Sequence, residues 1–576
     1  MNERFEMVAK TFHGLEDVLS DELIALGAEN VEPGNRMVTF EGDRAILYKA
    51  NMCCRTALRI LKPIVKFRAD NPEELYDYVR DLPWEQFLDI DKTFSIDSTV
   101  YGEEFSHSRF VTYRVKDAIA DHFFDSCGRR PSVSVSSPDI ILNVHISGNR
   151  VTISLDSSGE PLYKRGYRVA QTEAPLNEVL AAGIILKTGW RGDCDFADPM
   201  CGSGTFLVEA ALIAANINPG IYRESFAFEK WKDFDADLFE EIYNDDSEER
   251  DFNYKIYGGD IDPEAVKAAL RNVKSAKVDE YVQISCKPMS EWEENAPEGV
   301  LVTNPPYGER LKPENIKATY KSIGTTLKNY FAGWHAWILG YRDEHFAEIG
   351  LKPSLKTDLF NGALECSLRE YVMFNGKYSQ FKADGGTVAN KHAAENNGPR
   401  KVKHISEDEW TKTSRKFNRK EGFAAGKSDR PRRDKHSDKK SLRPDYYTDE
   451  TDNNSDERRF NTENRDTRPF NRENRPFKKE GRDNRDKRPF SSDKKEAFNR
   501  DNRGGQGFNR DNRSSGRDNR GRQGFSRDKQ ENRQKRGELR IVNPRNPSIP
   551  VDRQEIINPV YFRRRKQRPD QSAEEE

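Results

Sequence analysis

The chain has 576 residues, enough for three or four domains, and its formal net charge is only −2. Two unlike parts produce this balance. Residues 411–576 hold 47 Lys and Arg against 30 Asp and Glu, a net of +17, which leaves a net of −19 on residues 1–410. An acidic body with a basic C-terminal part indicates a polyanionic partner for that part.

The apolar and cysteine patterns argue against a membrane or secreted protein and against a metal-binding protein. No run of 18 apolar residues occurs, and the first residues lack an apolar targeting segment. The seven cysteines form no Cys-x-x-Cys pair and no spacing with histidine that is typical of a metal site. We therefore expect a soluble cytoplasmic protein with reduced thiols, without a metal and without a membrane partner.

Two small α+β units are predicted at the start of the chain. In residues 1–60, the patterns predict strands over 5–11 and 38–41 and helices over 14–26 and 44–53. In residues 61–160, they predict helices over 72–82 and 111–124 and strands over 94–99, 132–136, 140–146 and 151–156. Gly148-Asn149 predicts a hairpin between the last two strands. The basic residues around the second helix of this unit are equally compatible with a solvated face and with RNA contact: Arg109, Arg114, Lys116, Arg129 and Arg130.

A glycine loop follows the next predicted strand. Residues 158–168 have the composition of a polar linker, and a helix over 177–189 and a strand over 193–198 come after it. The loop 199–206 leads into a helix over 205–215, and Gly202 and Gly204 let its backbone approach a ligand closely. A dinucleotide fingerprint has a third glycine where Leu207 stands, so the loop favours a ligand such as S-adenosylmethionine.

Asp260 directly follows the strand predicted over 255–259. Asp262-Pro263 forms a good helix cap, which leaves Asp260 to bind ribose hydroxyls while Ile261 packs on adenine. The alternative is that Asp260 is a second cap. The preceding aromatic and acidic insertion, residues 218–253, contains helical spacing over 234–243 but predicts no function.

The most informative motif lies at residues 302–308. Residues 300–303 predict a buried strand that ends at Asn304-Pro305-Pro306-Tyr307, because two prolines cannot continue a sheet. Open α/β sheets bind ligands at this end of their strands. The Asn304 side-chain oxygen and the Pro305 carbonyl can each accept one N–H of an exocyclic base amine, and Tyr307 can stack on a base taken out of its helix. The motif therefore predicts methylation of such an amine, and the alternative is a Pro-Pro turn capped by Asn304.

Further strands complete a Rossmann-like sheet, and the last part of the chain differs in character. Strands are predicted over 282–286 and 336–340, with a closing hairpin over 355–374. Beyond about residue 380 aliphatic residues are few, and the Phe-Asn-Arg-Asp-Asn-Arg sequence at 498–503 recurs at 508–513. We expect disorder there, with aromatic and arginine residues serving either single-stranded RNA binding or solubility.

Taken together, these motifs resemble the THUMP-containing RNA guanine-N2 methyltransferases over residues 1–380. The likeness rests on residues 198–205 and 304–311, with the similar segments 165–168, 174–178 and 361–366, and is greatest to the 23S ribosomal RNA enzymes of the L type. It implies an α/β fold with a Rossmann-like methyltransferase domain at 161–380. A ferredoxin-like domain at 1–60 and a THUMP RNA-binding domain at 61–160 would precede it, and a disordered tail at 381–576 would follow.

The resemblance also implies the residues that hold the methyl donor, S-adenosylmethionine: Asp198, Gly202, Gly204, Asp260 and Ile261. Members of the family often have an Asp after the third strand to bind the adenine amino group. Here that place falls at Pro288-Met289-Ser290, where Ser290 can accept the hydrogen bond. Some members carry a second methyltransferase domain, which the tail replaces here, so one methylation is expected.

Three other functions stay open at this point. Asn-Pro-Pro-Tyr also serves adenine-N6 methylation of nucleic acids, and transfer RNA is an alternative substrate to ribosomal RNA. A protein of another class, an RNA-binding ribosome assembly factor, would not need Asn304, Gly202 and Asp260 together. The sequence does not predict the oligomeric state.

Overall fold

The structure is a computed structural model that describes residues 3–293, 296–306, 313–374 and 406–421, with positions 376, 381 and 383 besides. Its described strands form two seven-stranded sheets. The N-terminal sheet has the strand order β2-β3-β1-β4-β7-β6-β5. Its elements are β1 Phe5–Lys10, α1 Glu16–Ala25, β2 Glu29–Pro33, β3 Met37–Gly42, α2 Arg44–Cys53, β4 Arg59–Arg68, α3 Pro72–Arg80, β5 Phe94–Tyr101, α4 Ser108–Cys127, β6 Ile140–Ser147 and β7 Arg150–Asp156.

Strand β4 joins the two predicted N-terminal units into one sheet. It pairs with β1 on one side and with β7 on the other, so the predicted boundary between residues 60 and 61 lies inside a strand. The sequence did not predict β4. Its buried residues do not alternate with exposed ones, and Pro63 coincides with a register shift. The predicted hairpin at Gly148-Asn149 is confirmed, since Ser147 pairs with Arg150.

The strand predicted over 132–136 is wrong. Val133 forms a single bridge with Phe94, and no longer ladder follows among the described residues. Val133 and Val135 are 49% and 89% exposed, so their alternation reflects no buried face. A single bridge to Phe94 of β5, without a core to cover the two valine side chains, does not make a strand.

Residues 158–168 are not a polar linker. Ser158, Leu162, Arg165 and Tyr167 are each at most 2% exposed. The Arg165 guanidinium donates to the backbone oxygens of Leu162 and Arg55, and it forms a buried ion pair with Glu209. The composition was misleading because the polar groups of this segment are satisfied by distant partners rather than by water.

The C-terminal sheet has the strand order β10-β9-β8-β11-β12-β14-β13, and its first five strands are parallel. Helices α5, α6 and α8 cover one face, and α9 and α10 cover the other. The elements are α5 Glu178–Lys187, β8 Asp195–Asp198, α6 Thr205–Ala214, α7 Ala236–Tyr243, β9 Ile256–Asp260, α8 Pro263–Ser275, β10 Val282–Cys286, β11 Gly299–Thr303, α9 Pro313–Tyr330, β12 Trp334–Gly340, α10 Asp343–Glu348, β13 Leu355–Asn361 and β14 Leu364–Val372. The predicted Rossmann-like sheet and its closing hairpin are confirmed.

The insertion at 218–253 packs against the N-terminal sheet. Its apolar residues Phe226, Phe228, Trp231 and Phe239 belong to the N-terminal core, although they lie in the sequence of the C-terminal domain. Tyr48 of α2 stacks on Phe228 with 4.4 Å between ring centroids. The insertion therefore fastens the two sheets together through buried aromatic area.

A last helix, α11 Glu407–Lys420, lies within the segment predicted to be disordered. Its Ser406 side chain accepts the Glu409 backbone N–H as an N-cap, and Phe417 is buried against the N-terminal sheet. Too few apolar residues mark this helix for the sequence to reveal it. Apart from positions 381, 383, 406 and 421, the remaining residues of the predicted tail lie outside the described part of the chain.

In the described residues, no helix is long and apolar enough to cross a membrane. The same residues contain no cluster of three or more His, Cys, Asp or Glu side chains arranged to hold a metal ion.

Candidate active site

The candidate site lies where the strand order of the parallel sheet reverses. The chain runs from β8 outward to β9 and β10, and then returns to β11 on the other side of β8 and continues to β12. The carboxyl ends of β8 and β11 therefore flank a crevice, the place where open α/β sheets bind their ligands. Asp198 ends β8, and Asn304 directly follows β11.

A hydrogen bond joins these two strand ends. The Thr303 hydroxyl donates to the Asp198 carboxylate over 2.8 Å, and the Met200 N–H donates to the same oxygen over 3.2 Å. Asn304 is half-buried beside this contact, Pro305 is buried and Pro306 is exposed. The structure thus brings the Asn-Pro-Pro motif and the glycine loop together, while Tyr307 lies outside the described residues.

Burial makes Asp198 a weaker acid than an exposed aspartate. The carboxyl group is 1% exposed, and this burial raises its pKa to about 7, aided by the negative charge of Asp260 and opposed by the hydrogen bonds from Thr303 and Met200. A buried acid with few compensating donors is a site where a positively charged ligand is favoured.

The two glycines of the loop have different roles. Gly202 has a φ of +53°, and a Cβ there would meet no atom within 4 Å, so its backbone faces open space. Gly204 has a φ of +81°, and its Cβ would lie 3.0 Å from the Cβ of Ala269 in α8. Open space therefore adjoins the backbone at Gly202, whereas Gly204 serves the turn and the packing of α8.

Leu207 is accommodated by a glycine on the neighbouring strand. A Cβ at Gly258 of β9 would lie 2.4 Å from the Leu207 Cδ1 atom. In the dinucleotide fingerprint the third glycine allows close helix–strand packing. Here the glycine lies on the strand, at Gly258, instead of on the helix. This explains how Leu207 fits between α6 and β9 without separating them.

Asp260 holds the glycine loop in addition to lying at the crevice. The Gly202 N–H donates to one carboxylate oxygen over 2.9 Å, and the Asp262 N–H donates to the other over 2.9 Å. Asp262 itself caps α8 by accepting the Glu264 N–H. Asp260 thus makes a turn contact, as the alternative interpretation expected. A carboxylate has about four acceptor positions, so this arrangement still leaves two for ribose hydroxyls.

Of the two predicted adenine contacts, one follows Asp260 in the chain and the other follows the neighbouring strand. Ile261 is 73% exposed, unusual for an aliphatic side chain, and directly follows Asp260. Ser290 is exposed in the short helical turn Met289–Glu291, four residues beyond β10, whose last residue Cys286 pairs with Asp260. Both side chains are therefore near the carboxyl ends of adjacent strands.

Arg168 and Asn272 were not predicted as site residues, yet both hold the glycine loop. The Arg168 guanidinium donates to the Ser203 and Thr205 hydroxyls over 3.0 and 2.9 Å, and it pairs with Glu178 over 2.7 Å. The buried Asn272 amide donates to the Ser203 backbone oxygen over 2.9 Å. The Arg-Gly-Tyr-Arg segment is the sequence signal that points to Arg168, but its linker-like composition masks that signal.

These features fit S-adenosylmethionine. The open space at Gly202, the buried carboxyl of Asp198 and the exposed aliphatic side chain of Ile261 are compatible with the amino-acid end, the positive charge and the adenine of this molecule, respectively. The fit is one of shape, charge and polarity together.

Three family profiles match the chain in sequence order. The profile of the RlmL ferredoxin-like domain matches residues 6–61, that of the THUMP domain residues 69–156, and that of the RMKL-like methyltransferase domain residues 165–370.

Individual relatives agree with the profiles. A putative RNA methyltransferase of Synechocystis is 37% identical over 369 residues, which cover 64% of this chain and 96% of the relative. The ribosomal RNA large subunit methyltransferase K/L of Syntrophotalea carbinolica is 37% identical over 385 residues, 64% of this chain and 54% of the relative. The chain thus spans about half the length of that K/L relative. A solved putative methyltransferase complexed with SAH has 31% identity and a TM-score of 0.60, covering 66% of this chain and 100% of its own.

Fold, site and relatives together define an S-adenosylmethionine-dependent RNA methyltransferase. The chain belongs to the family of RNA methyltransferases that combine ferredoxin-like, THUMP and RMKL-like methyltransferase domains. The resemblance inferred from the motifs is confirmed.

Proposed function

We propose that this protein methylates the exocyclic N2 amine of a guanine in 23S ribosomal RNA. The observation that carries the proposal is the position of Asn304 and Pro305 at the switch point, joined to the glycine loop by the 2.8 Å hydrogen bond from Thr303 to Asp198. An acceptor pair at this position suits an exocyclic amine, and the names of the K/L relatives support ribosomal RNA as the substrate.

The amine needs help because its lone pair is delocalised into the base. The Asn304 side-chain oxygen and the Pro305 carbonyl each accept one N–H, which turns the lone pair toward the methyl donor. S-adenosylmethionine supplies an electrophilic methyl group on its sulfonium. The buried Pro305 fixes its carbonyl, and stacking of the base on Tyr307, a residue outside the described part of the chain, remains part of the proposal. The new N–C bond forms as the S–C bond breaks, and the amine then loses one proton to water.

The geometry of the loop supports the proposed contacts with the methyl donor. Gly202 admits the amino-acid end, Asp198 compensates its positive charge, and the Asp260 carboxylate accepts the ribose hydroxyls. Gly204 keeps the loop closed against α8, and Ile261 and Ser290 contact the adenine. The four divisions 1–60, 61–160, 161–380 and 381–576 remain our proposal for the domains, with the shared strand β4 joining the first two.

Nucleoside mass spectrometry tests the proposed reaction directly. Ribosomal RNA from a strain that lacks the gene should gain N2-methylguanosine when it is incubated with the purified protein and S-adenosylmethionine. Gain of N6-methyladenosine instead would assign the adenine reaction. Methylation confined to the transfer RNA fraction would replace the ribosomal substrate, and an absence of transfer to any RNA would favour an assembly factor.

Donor binding should depend on pH through Asp198. The free carboxyl has a pKa of about 7, above its ordinary value, so the folded protein retains a proton there that the unfolded chain loses near pH 4. The stability contributed by this group is present below pH 4 and is lost as the pH rises through about 7. A cationic donor favours the carboxylate, so its affinity should rise by up to about tenfold per pH unit below pH 7 and level off above it.

Calorimetry of donor binding from pH 5.5 to 8.5 measures this dependence. Asp198→Asn is the control, because it has no titrating carboxyl and retains whatever slope the donor's own amino group causes. Equal pH profiles for the two proteins would remove Asp198 from the donor site.

A further inference from the structure

The side chain of Asn418 joins helix α11 to the N-terminal sheet, because it forms the two hydrogen bonds with the β4 backbone that a neighbouring strand would form. The Asn418 amide accepts the Lys66 backbone N–H over 3.1 Å and donates to the Lys66 oxygen over 2.6 Å. Strand β1 pairs with β4 only at residues 59–61, so the backbone at Lys66 lies beyond this pairing. Asn418 thus satisfies a backbone donor and acceptor that would otherwise need another partner.

Aromatic contacts hold the same face of the helix. The Phe417 ring is 8% exposed and lies under the Lys66 ammonium, 4.7 Å from Nζ to the ring centroid. The Trp410 ring lies under the guanidinium groups of Arg68 and Arg150, at 5.6 and 5.7 Å. Such cation–π contacts, together with the paired amide, give the helix a fixed position on the sheet.

The opposite face of α11 is strongly basic. All five cations of the helix are exposed, and within the described residues none of them forms an ion pair; they are Lys412, Arg415, Lys416, Arg419 and Lys420. No acidic residue occurs between positions 410 and 420. With a rise of about 1.5 Å per residue, these cations form a strip about 12 Å long.

The basic residues around α4 differ from this strip because most of them are neutralised. Arg114, Arg129 and Arg130 pair with Glu73, Asp91 and Asp121 respectively. The ion pairs reduce the positive charge that the α4 surface presents to a polyanion, and the body as a whole is acidic. The surface around α4 therefore presents less unpaired positive charge than helix α11 does.

We propose that docked helix α11 is an RNA-binding surface that holds the phosphate backbone of the substrate RNA against the N-terminal sheet. The aromatic and amide contacts position the helix, and the five exposed cations bind phosphates. This inference rests on RNA being the substrate, but it does not depend on which base is methylated.

The first test removes the five charges in the full-length protein by K412Q, R415Q, K416Q, R419Q and K420Q together. RNA affinity should fall, and the slope of log affinity against log salt should become shallower by about 0.7 for each phosphate that is no longer neutralised, or about 3.5 if all five cations bind phosphates. The matched control removes five basic residues that are already in ion pairs: R44Q, R80Q, K164Q, K230Q and K232Q. An equal reduction of the slope in the control would overturn the proposal.

A second variant separates position from charge. Asn418→Leu keeps all five cations but removes both hydrogen bonds to Lys66, so the Lys66 amide should exchange its hydrogen faster and RNA affinity should fall. Faster exchange of the Lys66 amide would show that the helix has left the sheet. If the RNA affinity of that variant is nevertheless unchanged, the proposal that the docked helix binds RNA is overturned. Slow exchange of this amide in the native protein is expected, and fast exchange would also overturn it.

Turnover distinguishes this inference from the proposed reaction. At saturating RNA the five-charge variant should methylate as fast as the native protein, because α11 docks through Lys66, Arg68 and Arg150 of the N-terminal sheet, whereas the proposed site residues belong to the C-terminal sheet and its loops. If the native protein transfers no methyl group to RNA, the proposed reaction is contradicted. The comparison of RNA affinity between the native protein and the five-charge variant stays valid in that case. Poly-glutamate serves as a probe for an acidic protein partner. If the five-charge variant loses binding to poly-glutamate but binds RNA as tightly as the native protein, the basic strip binds an acidic protein and the RNA proposal is overturned.

Discussion

The Asn304→Ala protein should transfer methyl groups about 100- to 1000-fold more slowly than the native enzyme, a rise of roughly 3–4 kcal/mol in the barrier. The substitution removes one of two acceptors for the base amine and leaves the Pro305 carbonyl. Since Asn304 follows β11 and the proposed donor contacts lie on other loops, the affinity for S-adenosylmethionine should be nearly unchanged. Single-turnover methylation assays with calorimetry of donor binding measure the two quantities separately.

Asn304→Asp is the matched variant for this experiment. It keeps an acceptor oxygen at the same place and should therefore retain more of the rate than Asn304→Ala. Native single-turnover rates in Asn304→Ala would exclude Asn304 from the reaction, and a parallel fall in donor affinity would indicate that the substitution disturbs the crevice as a whole.

Glu209→Ala should lower the free energy of unfolding by about 3–5 kcal/mol. Glu209 is fully buried in α6, where it pairs with Arg165 and accepts the Tyr167 hydroxyl over 2.9 Å. Its removal leaves a buried guanidinium without its carboxylate. Because Arg165 also donates to the Arg55 backbone oxygen, the contact between the N-terminal part and the parallel sheet should weaken as well.

Urea denaturation monitored by tryptophan fluorescence measures this change. Tyr167→Phe is the control, since it removes one hydrogen bond and keeps the ion pair, for a destabilisation of about 0.5–1.5 kcal/mol. Replacing both partners, by Arg165→Met and Glu209→Leu, should recover most of the stability. A Glu209→Ala protein as stable as the native one would show that Arg165 reaches water or another carboxylate.

Local interactions explain the parts of the fold that the sequence predicted well. Helix α2 has the predicted bounds, and α8 begins at the predicted Asp262-Pro263 cap, because a cap depends on residues two or three positions apart. The hairpin of β13 and β14 turns at Asn361-Gly362 for the same reason. The glycine loop and the Asn-Pro-Pro corner were also recognisable, since glycine permits a tight turn and proline ends a strand whatever their distant contacts are.

Distant contacts explain the parts that were missed. Strand β4 is recognisable only through its neighbours β1 and β7, and helix α11 is held by Asn418 at Lys66, 352 residues earlier in the chain. The segment around Arg165 has the composition of a surface loop and becomes core because Glu209 and Arg55 satisfy its charge. No pattern within a short window contains these partners.

By itself, the sequence determined which residue types are available at the site and that Asn304, Asp198 and Asp260 each stand near a strand end. Only the tertiary structure decided how they act together. It places Thr303 2.8 Å from Asp198, 105 residues away, and gives Asp260 a second role through Gly202, 58 residues away. The physical reason is that the carboxyl ends of parallel strands meet only when the crossover helices close the sheet, and the same closure buries Asp198 and raises its pKa to about 7.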